Sequence, residues 1–224
     1  KPVGSLGDVA AFSFCQDKII TTGGEGGMLV THSRELWEKA WSLKDHGKNP
    51  TKVFNDDHPS GFRWLHDHFG SNYRMTEMQA ALGRVALRKL NDMVNHRREN
   101  AAFLDGFFRD FTVVRQTIPP VHVFHAYYKY YVFVEDEQLH PEWNRDRIMQ
   151  EINAHGVPCF SGSCSEVYLE DAFRKNGLRP ENRLPVAKQL GETSLMFLVD
   201  PSVSRVDLEQ YCSVIGDVLN RAKG

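Results

Sequence analysis

Two short apolar runs near the start of the sequence predict a pair of β-strands, at residues 9–15 and 27–31. The segment between them, DKIITTGGEGG, contains four glycines, which favour positive backbone dihedral angles or the close approach of a ligand. Ser33 follows the second run and is predicted to cap a helix that ends near Leu43. We therefore expect a hairpin followed by a helix in this part of the chain.

A longer helical pattern begins at Thr76, which fits a capping box with Gln79 and precedes an apolar stripe of helical spacing. The pattern continues without a proline to about Phe108, so we predict one long helix. A helix of this length can bridge two domains, and we place their boundary in its second half, giving domains at residues 1–100 and 101–224. The polar residues 48–71 predict a long loop before it.

The rest of the sequence has the pattern of a small α+β domain. A final amphipathic helix is expected after Ser204, and another helix at residues 145–155. Four short strands are predicted at residues 111–114, 126–134, 157–160 and 194–199. Mostly antiparallel strands with helices on one face would account for this order.

Composition and charge argue against several classes of protein. The net charge of −2 gives no reason to expect nucleic acid or an anionic membrane as a partner, and the apolar runs are too short to span a bilayer. Four cysteines occur without a CxxC pair, so we expect no metal site and no disulfide framework, but reduced thiols in a cytoplasmic protein. The first residue is not methionine, and we expect the chain to be part of a longer protein.

Lys18 is the main candidate catalytic residue of the sequence. It lies between the two predicted strands and before the glycine cluster, where we expect it to be shielded from water. Desolvation disfavours the ammonium form, and the neutral amine is the nucleophile that forms a Schiff base with a carbonyl. Ser13, five positions earlier, could hydrogen-bond a phosphate. Taken singly, a solvated lysine and a serine that satisfies the local backbone are the commoner interpretations.

A second cluster, GSNYRM, immediately precedes the predicted long helix. Helix N-termini favour anions, and Arg74 suits bidentate recognition of a phosphate or carboxylate. From the residues alone the simpler alternative is favoured, in which Asn72 makes a turn and Arg74 forms a surface ion pair. His122 and His125 precede the tyrosine-rich strand; we assign His125 to the substrate cleft, with a structural hydrogen-bonding role as the alternative.

Three blocks of this sequence resemble the DegT/DnrJ/EryC1/StrS family. They are GSLGDVAAFSFCQDKIITTGGEGGMLVT, LKDHG and GSNYRMTEMQAALGRVALRKLN, and their order, spacing and residue types all agree with the family. Members are pyridoxal-phosphate (PLP) sugar aminotransferases with the aspartate-aminotransferase-like fold, which is the α/β PLP-transferase fold type I. The resemblance implies that residues 1–100 end the large PLP-binding domain and that residues 101–224 form the small C-terminal domain.

The resemblance also implies roles for individual residues. Lys18 would be the Schiff-base lysine, which also moves the proton between the amino donor and the cofactor. Ser13 would contact the cofactor phosphate, and Asn72 would contact the phosphate of a neighbouring subunit's cofactor, which implies a homodimer with composite active sites. Tyr73 and Arg74 would line the same site as substrate residues.

The DHG segment at Asp45 and His46 matches a family motif with a structural or substrate-adjacent role. The implied reaction moves an amino group from an amino acid, glutamate being expected, to a keto group of a nucleotide-linked sugar, for polysaccharide or amino-sugar biosynthesis. Two alternatives stay open: a sugar dehydratase of the same family, in which histidine replaces the lysine, and a non-catalytic regulatory protein. Because family chains are longer on the N-terminal side, we expect this polypeptide alone to be inactive.

Overall fold

The computed structural model describes residues 1–55, 57–58 and 60–224. It divides into two compact units, Lys1–Leu90 and Asn91–Gly224, which are described separately. Asp56 and Pro59, in the loop predicted at residues 48–71, lie outside the described residues.

The first unit begins with an antiparallel hairpin of β1 (Val9–Ser13) and β2 (Gly27–Thr31), as the sequence predicts. The first strand ends earlier than predicted, because the Ser13 hydroxyl oxygen accepts a hydrogen bond from the Cys15 N–H (3.4 Å). This local bond replaces the strand ladder at that point.

Helices make up much of the rest of the first unit. Helix α1 (Arg34–Lys44) is capped by the Ser33 side chain, which confirms the predicted start. The predicted loop at residues 48–71 contains a short helix, α2 (Pro50–Val53), and Asp67 ties it down by accepting from Lys52 Nζ at 2.5 Å. Helix α3 (Glu77–Arg88) begins with the predicted capping box of Thr76 and Gln79.

The single long helix that the sequence predicts is wrong, because the structure contains two helices there. Helix α3 ends at Arg88, and α4 (Leu90–Phe108) begins after Lys89. The Lys89 N–H bonds to the Ala86 carbonyl at 3.0 Å, a tightened last turn that ends the regular ladder. The two compact units divide beside this break, whereas the domain boundary between residues 100 and 101 stays a prediction.

The second unit is built on a four-stranded antiparallel sheet in the order β3-β4-β6-β5. Its strands are β3 (Val114–Gln116), β4 (Tyr130–Val134), β5 (Cys159–Phe160) and β6 (Ser194–Phe197). Its helices after α4 are α5 (Arg145–Ala154), α6 (Asp171–Lys175), α7 (Pro185–Thr193) and α8 (Arg205–Ala222). The antiparallel pairing and the Ser204 cap of the last helix agree with the sequence prediction.

The strand predicted at residues 126–134 is shorter than expected, because a tight turn occupies its first residues. Tyr127 adopts a left-handed conformation (φ 46°), and its N–H bonds to His125 Nδ1 at 3.1 Å. From Tyr130 onward alternate side chains are buried. These pack with helical residues into one apolar core, whose largest fully buried members include Leu104, Phe108, Ile148, Ile152, Leu195, Leu208, Ile215 and Leu219.

Candidate active site

The loop that carries Lys18 is closed by backbone hydrogen bonds. The Phe14 N–H donates to the Gly26 carbonyl at 2.8 Å, and the Thr22 N–H donates to the Phe14 carbonyl at 3.2 Å. Inside this closure the Lys18 N–H donates to the Cys15 carbonyl at 3.1 Å, so the lysine lies in a turn directly after β1. Its backbone is therefore fixed by local contacts.

Helix α3 packs against this loop and holds it in place. The Gln79 side chain donates from Nε2 to the Glu25 carbonyl at 2.7 Å. Thr22 is buried, and a Cβ placed on Gly83 would come within 2.9 Å of its methyl group. Only a glycine allows the threonine to lie this close to the helix, so Gly83 is part of what positions the loop.

Lys18 is less shielded than the sequence suggests. Its side chain keeps 35% of its exposure, and Nζ lies 3.1 Å from an oxygen of the Asp17 carboxylate. The amine therefore has an ion-pair partner on the adjacent residue, and the shielding that the sequence predicts is incomplete.

Ser13 and Lys18 occupy the same end of the hairpin. The Ser13 side chain is exposed, and its hydroxyl oxygen accepts from the Cys15 N–H, so its own proton can still be donated. An amine and a hydroxyl donor on one closed loop fit the aldehyde and the phosphate of PLP. The residues present are thus chemically suited to that cofactor.

The GSNYRM segment lies against the end of α1. Carbonyls of the last turn accept from it: Leu43 from the Ser71 N–H at 2.8 Å, and Lys44 from the Tyr73 N–H at 3.0 Å. Gly47 has φ 84°, and a Cβ there would lie 1.8 Å from the His68 carbonyl oxygen. The two segments therefore pack backbone against backbone.

This packing brings together a four-residue cluster, Asp45, His46, Asn72 and Arg74, which we call the DHNR cluster. Arg74 Nε donates to the Asn72 side-chain oxygen at 3.0 Å, and Arg74 Nη2 lies 3.1 Å from His46 Nε2. The Asn72 oxygen also accepts from the Arg74 N–H at 3.4 Å, which is the turn that the simpler interpretation anticipates. Tyr73 is exposed and is not part of the cluster.

Asp45 supplies the negative charge at the base of this cluster, where it is buried. Burial raises the pKa of its carboxyl, but a 2.9 Å hydrogen bond from Lys48 and the charges of Lys48, Lys44 and Arg74 outweigh it and hold the pKa below its usual value. Asp45 is therefore ionised at neutral pH and can hold the surrounding cations in place. The sequence marks this residue only through the DHG motif.

His125 belongs to the second compact unit and has the structural contacts of the alternative interpretation. Its Nδ1 accepts from the Tyr127 N–H, and its carbonyl accepts from Arg98 at 2.9 Å. Partial burial and the charge of Arg98 lower the pKa of His125. It also lines a cavity of about 450 Å³ with Tyr127 and Lys129, so its predicted substrate contact stays a prediction.

The residues that the structure describes contain neither a candidate metal centre nor a candidate membrane-spanning helix. No three histidine, cysteine, aspartate or glutamate side chains converge there as a metal centre would require. No described helix is both long and apolar enough to cross a membrane.

The sequence profile of the DegT/DnrJ/EryC1/StrS aminotransferase family matches residues 1–217. The chain belongs to this family. Its structure has the family's fold: the aminotransferase from Psychrobacter cryohalolentis superposes with a TM-score of 0.92 at 51% identity, over 99% of this chain and 58% of that one. The predicted α/β PLP-transferase fold is thereby confirmed.

Two further proteins resemble this chain, one in sequence and one in fold. The dTDP-4-dehydro-2,3,6-trideoxy-D-glucose 4-aminotransferase of Saccharopolyspora spinosa is 34% identical over 79% of this chain and 48% of its own length. A Streptococcus pneumoniae protein known in a PLP form and a PMP form shares the fold, with TM-scores of 0.80 and 0.83 at 19% and 20% identity, over 99% and 98% of this chain and 54% and 55% of that one. The chain spans about half the length of the relatives that it matches.

Proposed function

We propose that the complete protein is a PLP-dependent aminotransferase that moves an amino group from an amino acid to a keto group of a nucleotide-linked sugar. The observation that carries this proposal is Lys18, an amine held in a turn beside the exposed Ser13 hydroxyl, in a chain of a sugar aminotransferase family. Glutamate is the expected amino donor. A dehydratase of the family would carry histidine in place of Lys18.

The residues of this chain would have separate tasks. Lys18 would supply the amine that bonds to the cofactor's aldehyde carbon and would carry a proton once that bond is exchanged. Ser13 would donate to the cofactor phosphate, and Asn72 would do so toward the cofactor of a neighbouring subunit in a homodimer. When bound, PLP would supply an electron-withdrawing ring, which carries the most demanding chemical step of the reaction.

The remaining parts of the proposal follow from the same assignment. A nucleotide-linked sugar and an amino acid would be the substrates, and Tyr73, Arg74 and His125 are proposed to lie near them. Reduced cysteines agree with a cytoplasmic enzyme: all four are free thiols in the structure. No nucleic-acid or membrane partner is proposed.

The test uses the complete protein with added PLP. We expect an absorbance band near the visible and, after borohydride reduction and peptide mass spectrometry, a phosphopyridoxyl group on Lys18. Lys18→Ala should lose both signals, whereas Lys39→Ala, an exposed lysine paired with Glu35, should keep them. A complete protein that takes up no PLP, or that is labelled elsewhere, would overturn the proposal and favour a regulatory protein of the same fold.

The substrate is tested separately. With PLP bound, glutamate alone should give at most one 2-oxoglutarate per site, because the cofactor itself takes up that amino group, and continued conversion should require a nucleotide-linked keto sugar as acceptor. Keto sugars linked to dTDP are the first to assay, because the Saccharopolyspora spinosa relative is named for one. PLP uptake without amino transfer to any keto sugar tested, or a dehydrated product instead, would contradict this part.

A further inference from the structure

The Arg74 side chain forms its hydrogen bonds within the DHNR cluster. Its Nε donates to the Asn72 oxygen at 3.0 Å, and its Nη2 lies 3.1 Å from His46 Nε2. A guanidinium has donors and no acceptor, so His46 Nε2 must accept this hydrogen bond. The planar group is therefore held between two acceptors, one on each side.

The same contacts orient the Asn72 amide. Its oxygen accepts from both Nε and the backbone N–H of Arg74. An amide that accepts with its oxygen must turn its two N–H donors to the other side. Asn72 is exposed, and within the described part of the chain its nitrogen donates to no protein group. The side chain thus presents donors, the groups that an anion binds.

His46 reaches Arg74 from an unusual backbone conformation. It has φ 60°, in the left-handed region that residues other than glycine seldom adopt. Its N–H bonds to the Ser71 carbonyl at 3.1 Å, and the buried Asp45 and the tightly packed Gly47 flank it. Backbone strain of this kind persists only where the surroundings impose it, and it is frequent at functional sites.

We propose that Arg74 and His46 are positioning residues, which hold the Asn72 amide so that its N–H donors face the cofactor phosphate. The inference rests on the proposed function, because it takes Asn72 as a phosphate ligand. It differs from the expectation that Arg74 binds substrate directly, since two sides of its guanidinium are already engaged in the cluster. The order of contacts is His46 to Arg74 to Asn72 to phosphate.

The test measures binding of PLP, and of pyridoxal as a ligand without the phosphate, to the complete protein carrying Lys18→Ala. Removing the lysine amine leaves only the non-covalent contacts. Against this background, Arg74→Met and His46→Gly should each weaken PLP binding about tenfold, the loss of one charge-assisted hydrogen bond, and leave pyridoxal binding unchanged. Glycine keeps the left-handed backbone at position 46, so that variant removes only the imidazole.

Two further variants sharpen the result. The double variant should bind PLP with the same affinity as the single variant that binds it less tightly, because both changes interrupt the same series of contacts to Asn72. Arg74→Lys should not restore binding, since an ammonium lacks the planar fork that bridges His46 and Asn72. Unchanged pyridoxal binding also shows that each variant is folded.

The outcomes separate the two proposals. If the protein with Lys18 intact takes up no PLP, the proposed function fails and the positioning role falls with it. If PLP binds but the Arg74 and His46 variants bind it normally, the positioning role is overturned. A raised KM for the sugar substrate in the Arg74 variant with Lys18 intact would then make Arg74 a substrate ligand. Additive losses in the double variant would overturn it as well.

Discussion

Arg183 donates hydrogen bonds to both oxygens of the Glu166 carboxylate, from Nε to one oxygen at 2.9 Å and from Nη2 to the other. The Tyr168 hydroxyl donates to the same carboxylate at 2.6 Å and accepts from the Leu184 N–H at 2.8 Å. Together these bonds tie the segment after β5 to the start of α7, a region in which the sequence shows no strong periodic pattern. The carboxylate is the centre of that tie.

The pH dependence of stability should reveal this contact. Hydrogen bonding by Arg183 outweighs burial and lowers the pKa of Glu166 to about 2, whereas an ordinary glutamate has a value of about 4.3. Because the pKa of Glu166 is lower in the folded state, its ionised carboxylate stabilises that state at pH values above the ordinary pKa. This stabilisation is lost as the pH falls toward 2. Thermal unfolding should therefore show Glu166→Gln below wild type at pH 7, with the difference shrinking below about pH 4.5.

Glu170→Gln is the matched control, because Glu170 lies nearby, is exposed and makes no ion pair among the described residues. Its difference from wild type should be small and should not vary with pH. A constant gap between Glu166→Gln and wild type from pH 7 to pH 3 would show that the ionised contact does not stabilise the fold.

Tyr130 should be a sensitive position in the second unit. Its ring is buried, and its hydroxyl donates to the Asp105 carboxylate at 2.7 Å; burial and this hydrogen bond raise the pKa of Tyr130. Tyr130→Phe would leave the carboxylate without this donor at a cost of about 1.5 to 3 kcal/mol in the free energy of unfolding. Urea denaturation measures this cost.

Tyr211→Phe is the control for Tyr130→Phe. Tyr211 packs partly against the same core, but its hydroxyl forms no hydrogen bond with the described residues. That variant should change the free energy of unfolding by less than about 0.5 kcal/mol, as surface changes usually do. Equal losses in the two variants would mean that the Asp105 hydrogen bond adds nothing to stability.

The elements predicted correctly are those whose signals are local. Ser33, Thr76 and Ser204 cap the helices that follow them, because a side-chain oxygen and the N–H groups of the next turn are within a few residues of each other. The break at Lys89 is not marked by a glycine or a proline, and the apolar stripe continues across it, so the pattern predicts one helix where there are two.

The candidate site likewise contains residues that the sequence predicts and contacts that it does not. Lys18 and Ser13 were found from adjacent residues and from the family resemblance. The hydrogen bond between His46 and Arg74 joins residues 28 positions apart, and the sequence contains no pattern that pairs them. Likewise, nothing in the apolar pattern indicates that Asp17 would lie against the Lys18 amine, because periodicity reports burial and not the partner of a charge.

Thiol reactivity should separate the four cysteines. Burial raises the pKa values of Cys159 and Cys212 to about 12, so neither forms an appreciable amount of thiolate at neutral pH. Cys164 is exposed and should react fast with a disulfide reagent such as DTNB, with Cys15 slower. Cys159 and Cys212 should react only in urea.

The control for this assignment is Cys164→Ser, which should remove the fast phase and leave the denatured count lower by one. Fast native labelling of Cys159 or Cys212, identified by peptide mapping, would contradict the burial of those thiols. The same experiment done with bound PLP should leave both unreactive, since both lie in the apolar core of the second unit.

The proposed sharing of active sites between subunits makes a prediction about hybrid dimers. Lys18→Ala removes the amine, and Asn72→Asp places a carboxylate where the cofactor phosphate of the other subunit would bind. Each homodimer of a single variant should therefore be inactive. In a hybrid of the two variants both defects fall in one site, and the other site is intact, so we expect about half of wild-type activity per dimer.

Hybrids can be made by co-expressing the two complete chains with different affinity tags and purifying on both in turn. The control hybrid pairs Lys18→Ala with a chain that carries both Lys18→Ala and Asn72→Asp, which leaves no subunit with the amine and should be inactive. An inactive first hybrid would contradict sharing, because it would mean that Lys18 and Asn72 of the same chain must be intact for any site to work. Activity in the Asn72→Asp homodimer would instead remove Asn72 from the phosphate site.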